Sequence, residues 1–446
     1  MDCYKALFLP AILFAVAAGC GGSAGMLPIT AGGSIQIAYY VATNGSDSNS
    51  GSLSHPFRTI QHALNIARVP GDVVVVRRGT YFEAVTFPAD GTAQRPIVLQ
   101  NYPGERPFIS GAKGASQRLV RIFDRSHVRF EGFEIGDLST TSPLQSGAIF
   151  VEGYGDDVQV TNNFVHDVRP APNQYANGRA IQVRGFYTSH PLTNVVVAGN
   201  KVDACTVQDG NVVEISGNTL HDRVTGNRLR DNRGIALNVT GGTKPPAYTR
   251  WNLQVRDVLV EGNTIDATYG SGAIGLYVQA ARKVEVRRNH VAQSMGGIYV
   301  TSEYPGVHSG GVTLEGNVVT HNAEAGILVG SPFFPTVVLG ATVTDNTVVA
   351  NGSYESGNGG NFGIGRARDV TVQGNRFVAS DDQPLTYLGA PYVRVTLNHN
   401  CYDDVNHNPS TARFAYAGKS YVGFHRYRAA TAQDRNSSFG DCSAAR

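Results

Sequence analysis

A six-residue phrase recurs along this chain and constrains its fold more than any other feature. Apolar and polar residues alternate, a turn residue follows, and the phrase closes on asparagine. It reads VQVTNN to Asn163, VVVAGN to Asn200, DRVTGN to Asn227, VLVEGN to Asn263 and VEVRRN to Asn289. It continues as VTLEGN to Asn317, ATVTDN to Asn346, VTVQGN to Asn375 and VTLNHN to Asn400. Most spacings run from 25 to 29 residues and two are near 36. Period-2 alternation excludes heptads and helical repeats. Each period has room for about three short strands. A unit of that size cannot bury its own apolar face, whereas stacked units share a continuous core. The expectation is an all-β chain: a single right-handed parallel β-helix. Its asparagines sit at a tight turn, where they tolerate a left-handed backbone, and their stacked amides form a ladder. That role is structural.

The flanks set the boundaries. Lys5 and the apolar run Ala6 to Ala18 read as a secretory signal, too short to cross a bilayer. Ala17-Ala18-Gly19-Cys20 resembles a bacterial lipobox, with Ala17 where Leu is usual. The expectation is a lipid on Cys20 that anchors an outer-membrane or cell-surface protein; without it the protein is secreted. The chain then divides into a lipoprotein-type signal over 1–20, a Gly-rich tether over 21–35, the β-helix over 36–400 and an irregular tail over 401–446. Ser54-His55-Pro56-Phe57, followed by Ile60, Ala63, Leu64 and Ala67, reads as an N-capped amphipathic helix. It would cover the strand edges at the N-terminal end. Cys401 and Cys442 could staple the tail, though spacing alone proves no pairing. Cys205 is expected in a turn or the core.

With 37 basic and 35 acidic residues the formal charge is +2. That argues against a nucleic-acid partner, which needs a basic excess. No CxxC pair or His/Cys cluster suggests zinc. Asp47, in NGSDSNS, could contribute to a calcium loop, and a turn explains it equally. A monomer is expected, touching the membrane only through a lipid on Cys20.

The stretch YYVATNGSDSNSGSLSHPFRTIQHALNIARVPGDVVVVRRGTY, then RPIVLQNYPGERPFISG, resembles the opening of β-helix polysaccharide lyases. These include alginate lyases, chondroitinase-B-like enzymes and some pectate lyases. With the coils that follow, the resemblance covers about 390 residues by the repeat count. It implies an acidic polysaccharide as partner and does not choose among substrates. Members of that superfamily carry GID and IYVDG in the middle coils, with outward acids. Here the segments read GIAL and LYVQA, so Ala236 and Gln279 stand where acids are expected, which lowers the odds of a bound metal.

One strand per coil lines up as AIFVEG, AIQVRG, VVEISG, IALNVT, GLYVQA, GIYVTS and GILVGS. Alternation assigns Ile149, Ile181, Val213, Ile235, Leu276, Ile298 and Ile327 to the core. It turns Glu152, Gln182, Arg184, Glu214, Ala236, Asn238, Tyr277, Gln279 and Tyr299 to solvent. Aromatic rings beside amides and charges suit sugar rings. Loop insertions flank this face and carry Tyr187, Lys244, Trp251 and Glu303. β-Elimination of a uronate needs its carboxylate neutralised, a base for the C5 proton and an acid for O4. Arg184 suits the first role; Lys244, Tyr277, Tyr299 and Tyr187 are candidates for the others, with Glu214 an outward acid of the same row. Gln182, Asn238, Trp251, Gln279, Glu303 and Tyr187 are the expected substrate contacts. Hydrolysis needs two carboxylates across one bond, and no acid pair is evident. The reading is a lyase for an acidic polysaccharide. The alternatives are a non-catalytic glycan-binding β-helix, a C5-epimerase using nearly the same groups, or a glycoside hydrolase.

Overall fold

The structure, a computed structural model, describes residues 37–114, 117–140, 146–170, 178–187, 189–241, 254–270, 272–304, 306–330, 334, 336–352, 360–380, 383–389, 392–440 and 442. The signal, tether and Cys20 lie outside these.

Alternating valines make a strand with one apolar side, and each coil lays that side on the next. Val160, Val197, Val224, Val260, Val286, Leu314, Val343 and Val372 are direct register partners in sequence. All are buried. Each such side chain contributes ~1.5–3 kcal/mol of burial. These strands belong to one sheet of 16 strands. The strands after the asparagines, with the AIFVEG series, form a second hydrogen-bonded set of 25 strands. That set bends at a corner, which the long strands Thr206–Gly217 and Arg228–Thr240 cross without a break. The solenoid therefore has three faces, with the core between them. Every pairing of its named strands is parallel, as the repeat requires.

The asparagine ladder is present, but its geometry differs from the expectation. The left-handed residue is the one before each asparagine: Gly199, Gly226, Gly262, Arg288, Gly316, Asp345 and Gly374 all have φ between 53° and 69°. The asparagine turns inward instead. Each Oδ1 accepts from the backbone N–H and the side-chain Nδ2 of the asparagine one coil earlier, from Asn163 through to Asn400. Each Nδ2 also donates to a backbone carbonyl, as Asn263 does to Val224. Asparagine is needed because it carries donor and acceptor on one short planar group.

The N-terminal helix spans Ile60–Ile66 and packs Ile60, Ala63 and Leu64 against the first coils. Its N-cap is Thr59, not the Ser54 region, and the Thr59 hydroxyl accepts from the N–H of His62. Asp47 accepts from the N–H groups of Arg58 and Thr59 and from the Thr59 hydroxyl. Burial opposes its charge, yet these bonds hold the carboxyl below its ordinary range. Asp47 is thus occupied as a turn anchor.

The expected irregular tail is ordered. Cys401–Asp404 continues the solenoid, Arg413–Tyr416 and Lys419–Val422 form an antiparallel hairpin, and Phe424–Thr431 is helical. Aromatics drive this: Tyr402, Phe414, Phe424 and Tyr427 are all buried and in mutual contact. Cys401 and Cys442 form a disulfide with Cα atoms 5.6 Å apart. Cys205 is free and buried in the core.

Candidate functional site

The outward rows of the third face are built by register. One row runs Arg121, Phe150, Gln182, Glu214, Asn238, Tyr277, Tyr299 and Leu328. The next runs Phe123, Glu152, Arg184, Ser216, Thr240, Gln279 and Thr301. A third, at the corner, contains Arg118, Gly147, Arg179, Asn211 and Ile235. Two residues depart from the sequence alignment. Ala236 is in the solenoid core, and Ile235 is half-buried against Tyr277 and Tyr299 outside it. Asn238 and Thr240, not Ala236 and Asn238, therefore pair with Tyr277 and Gln279.

These rows lie outside the solenoid core, as alternation requires, but they do not face open solvent. Gln182, Glu214, Asn238, Tyr277, Gln279 and Tyr299 are each no more than 7 % exposed. Burial makes their charges and hydrogen bonds strong. Glu214 forms an ion pair with Arg179, both nearly fully buried. It also accepts from Asn211 at 2.6 Å and Gln182 at 3.0 Å. Burial works against the Glu214 charge, but Arg179 and these donors hold the carboxyl below its ordinary range. Asn238 continues the network by donating to Asn211.

Two coils from Glu214, buried Glu152 pairs with both Arg118 and Arg121, and Arg184 is its register neighbour. Burial, with the like charges of Arg121 and Arg184, lowers the pKa of Arg118. Four guanidinium groups thus stand on this part of the face around Glu152 and Glu214. Glu152 Oε1, Gln182 Oε1, Asn238 Oδ1 and Gln279 Nε2 are buried without a hydrogen-bond partner. The ladder asparagines on the other side of the wall are nearly all satisfied. Unpaired buried polar atoms are rare and mark places where hydrogen-bonding capacity serves something other than the fold.

Tyr277 and Tyr299 are register partners whose rings diverge. The Tyr277 hydroxyl donates to Glu303 at 2.6 Å and meets the Thr301 hydroxyl. Tyr299 leans back over Gly296, where a Cβ would lie 2.5 Å from its ring, and donates to Glu324 at 3.0 Å. Burial first, then the facing carboxylates, push both hydroxyls far above their ordinary pKa. They stay protonated and act as donors. Glu303 and Glu324 consequently sit toward opposite edges of the face rather than as a pair.

Tyr187 is exposed at the corner, with its hydroxyl 3.5 Å from Asp124. Lys244 and Trp251 lie outside the described residues. Arg118, Arg121 and Arg179 went unnoticed in the sequence. Their signal was present, since RLVRIF and GRAIQV place arginines in register with Gly147 and Phe150. Among the described residues one group has metal-ligand composition: Asp137, His166 and Asp167. It is internally paired, because His166 bonds Asp167 and Glu134, and Asp167 also holds Arg169.

Residues 39–235 match the family model "Pel9A-like, right handed beta helix region", which agrees with the solenoid and fixes its hand. The uncharacterized protein YwoF of Bacillus subtilis (strain 168) is 29% identical over 426 residues, covering 90% of this chain and 87% of that protein. Pectate lyase PEL9 of Emericella nidulans is 36% identical over 74 residues, which is 16% of this chain and 18% of the enzyme. A solved structure described as a glycoside hydrolase superposes with a TM-score of 0.54 at 12% identity, over 83% of this chain and 96% of its own. That likeness is one of fold. The architecture is one that carbohydrate-active proteins use.

Proposed function

We propose that this chain, with its Pel9A-like right-handed β-helix region, is an exported lyase that cleaves a uronic-acid-containing polysaccharide by β-elimination. The observation that carries the reading is the group of Arg118, Arg121 and Arg184 around the single carboxylate of Glu152. A uronate C5 proton becomes removable only when its carboxylate is neutralised. Guanidinium groups do this with a fixed fork of donors. Arg184 is the neutraliser in this reading, and Glu152 fixes the arginines beside it. Gln182, Asn238 and Gln279 carry buried polar atoms without a partner among the described residues, so a sugar that enters this layer has hydrogen-bonding capacity to meet. Tyr277, Tyr299 and Glu214 are positioning groups, because the tyrosines stay protonated and Glu214 is held by Arg179. The base is Lys244 acting as a neutral amine. It takes the C5 proton, the electron pair forms the C4–C5 double bond as the C4–O4 bond breaks, and O4 leaves with a proton taken from water. The N-terminal signal and a lipid on Cys20 would place the protein at the cell surface, facing such polymers.

A second reading is favoured by a specific observation. Glu152 and Glu214 are bound by arginine, and Tyr277 and Tyr299 are buried, which suits a non-catalytic binder of acidic glycan. Incubation with polygalacturonate, alginate and glycosaminoglycans separates the readings. The lyase reading expects ultraviolet absorbance from the unsaturated uronate. New reducing ends without absorbance identify a hydrolase. Solvent deuterium at C5 of an intact chain identifies an epimerase. Retention on the polymer with no product identifies a binder.

A further inference from the structure

The mechanism above leaves one exposed part of the same face unused. It is the corner where three successive strands end, after Phe123, Gly153 and Gly185. Among the described residues the exposed large aromatics are Phe82, Tyr154, Tyr187 and Tyr269. The structure brings Tyr154 and Tyr187 together, with ring centroids 5.7 Å apart and planes at 68°. They are 44% and 40% exposed. Beside them the half-buried Phe123 and Phe186 approach to 6.4 Å. The Arg121 guanidinium lies 4.2 Å from the Phe123 ring centre, and that of Arg184 lies 5.3 Å from Phe186.

The backbone holds Tyr154 outward. Gly153 and Gly155 flank it with φ of +96° and +147°, and a Cβ at Gly153 would fall 1.8 Å from Asp124 Oδ1. No other residue fits that bend. Asp124 accepts the Tyr154 N–H at 3.1 Å. Asn218 donates to the Tyr187 carbonyl at 2.8 Å. Two aromatic rings are therefore fixed in an exposed position that costs hydration and serves no core. Fixed aromatics bind with little ordering loss.

We infer that this corner is a sugar-stacking platform that anchors an acidic glycan next to the arginine cluster. The inference rests on the acidic-polysaccharide reading above and adds the residues that grip the chain. Aromatic faces take the apolar side of the rings. Arg121, paired with Glu152, and Arg184, its register neighbour, meet a carboxylate. A neutral glycan satisfies only the first. Coils repeat at ~4.8 Å, so a platform spread over three of them lies along the solenoid axis, and the polymer runs with it.

The test uses the full chain and calorimetric titration with polygalacturonate, alginate and hyaluronate, carrying forward whichever binds most tightly. Tyr154→Ala with Tyr187→Ala is expected to weaken binding at least about tenfold, or ~1.4 kcal/mol. Tyr154→Phe with Tyr187→Phe is expected to restore it to within about twofold, because the rings are kept. Xylan, a neutral polymer, is expected not to bind. Melting curves check that the variants fold, and Tyr154→Ala alone replaces the double variant should that one unfold. Binding unchanged in the alanine variants overturns the platform, as does equal affinity for xylan. If product forms while the alanine variants keep full affinity and KM, the platform fails and the lyase reading stands. If no product ever forms but the alanine variants lose binding, the platform stands and the lyase reading fails. No binding to any of the three acidic polymers overturns both.

Discussion

Replacing Asn289 with alanine tests whether the ladder is a main source of stability. Its Oδ1 accepts from the N–H and the Nδ2 of Asn263, both at about 3 Å. Its Nδ2 donates to the carbonyl of Val260 at 3.0 Å and to Asn317 Oδ1 at 3.0 Å. Asn289 is 1% exposed, so no solvent replaces these partners. Alanine leaves two buried donors of Asn263 without an acceptor. At ~1–3 kcal/mol for each unsatisfied buried group, the expected loss is ~2–6 kcal/mol. That is a large fraction of the ~5–15 kcal/mol typical of a folded domain. Because solenoid coils interact mainly with their neighbours, the loss should be local. Guanidinium unfolding followed by circular dichroism gives the total, and amide hydrogen exchange gives its position. The Asn263 amide should lose protection strongly, while those near Asn375 change little. A loss below ~1 kcal/mol, or unchanged protection at Asn263, would refute the account, since removing buried partners must leave a measurable penalty.

Three further substitutions have defined outcomes. In the lyase reading, Arg184→Ala should abolish β-elimination while leaving much of the polymer binding, because a carboxylate neutraliser acts mainly in the transition state; single-turnover and binding assays on one preparation check this. Asp222 is buried, and burial raises its carboxyl to about 7 from 3.8. The folded protein therefore holds that proton more tightly than the unfolded chain, so the associated stability is full below pH ~4 and is lost as pH rises through ~7, by at most ~4 kcal/mol. Asp222→Asn should keep the bond from the Val195 N–H and raise the melting temperature at about pH 8 more than at about pH 4; an equal change at both would disprove the linkage. Cys401→Ser with Cys442→Ser opens a closure of 41 residues and should cost ~4 kcal/mol by the chain-entropy relation, read as a denaturant midpoint shift without a change in the ladder's exchange pattern.

The fold was legible because its repeat is written in residues that do one job. Val260 and Asn263 behave in every coil as their neighbours do, so nine imperfect copies reinforce one another. Two details escaped because they depend on the corners. Arg228–Thr240 bends as it passes from one face to the next. Alternation slips there, with Ala236 and Leu237 both buried in the core. A strict period of two thus displaced Ile235 and Ala236. The asparagine's backbone departs from the expectation for a related reason: in five of the phrases a glycine stands just before it and takes the left-handed turn. For the site, identities were readable and environments were not. Tyr277 and Glu214 stand on the outward rows as their positions require, yet both are buried, and burial on an outward face comes from segments distant in sequence. Asp434 shows the same limit. It closes the ladder by accepting from Asn400, Tyr402 and Tyr427, and nothing around it in the sequence resembles the repeat.

The unequal spacing of the ladder separates two properties that most folds keep bound together. Successive asparagines are joined at intervals of 37, 27, 36, 26, 28 and 29 residues, yet the bonds between them stay near 3 Å throughout. The corner counts stacked amides, not residues. Excursions of ten residues can enter or leave a coil without disturbing the wall behind them. Of the two longest intervals, Asn163 to Asn200 carries Arg179 and Arg184, and Asn227 to Asn263 carries Asn238. Loops can therefore be exchanged without rebuilding the wall, and a graft between relatives would need to match only where each loop leaves and rejoins its coil.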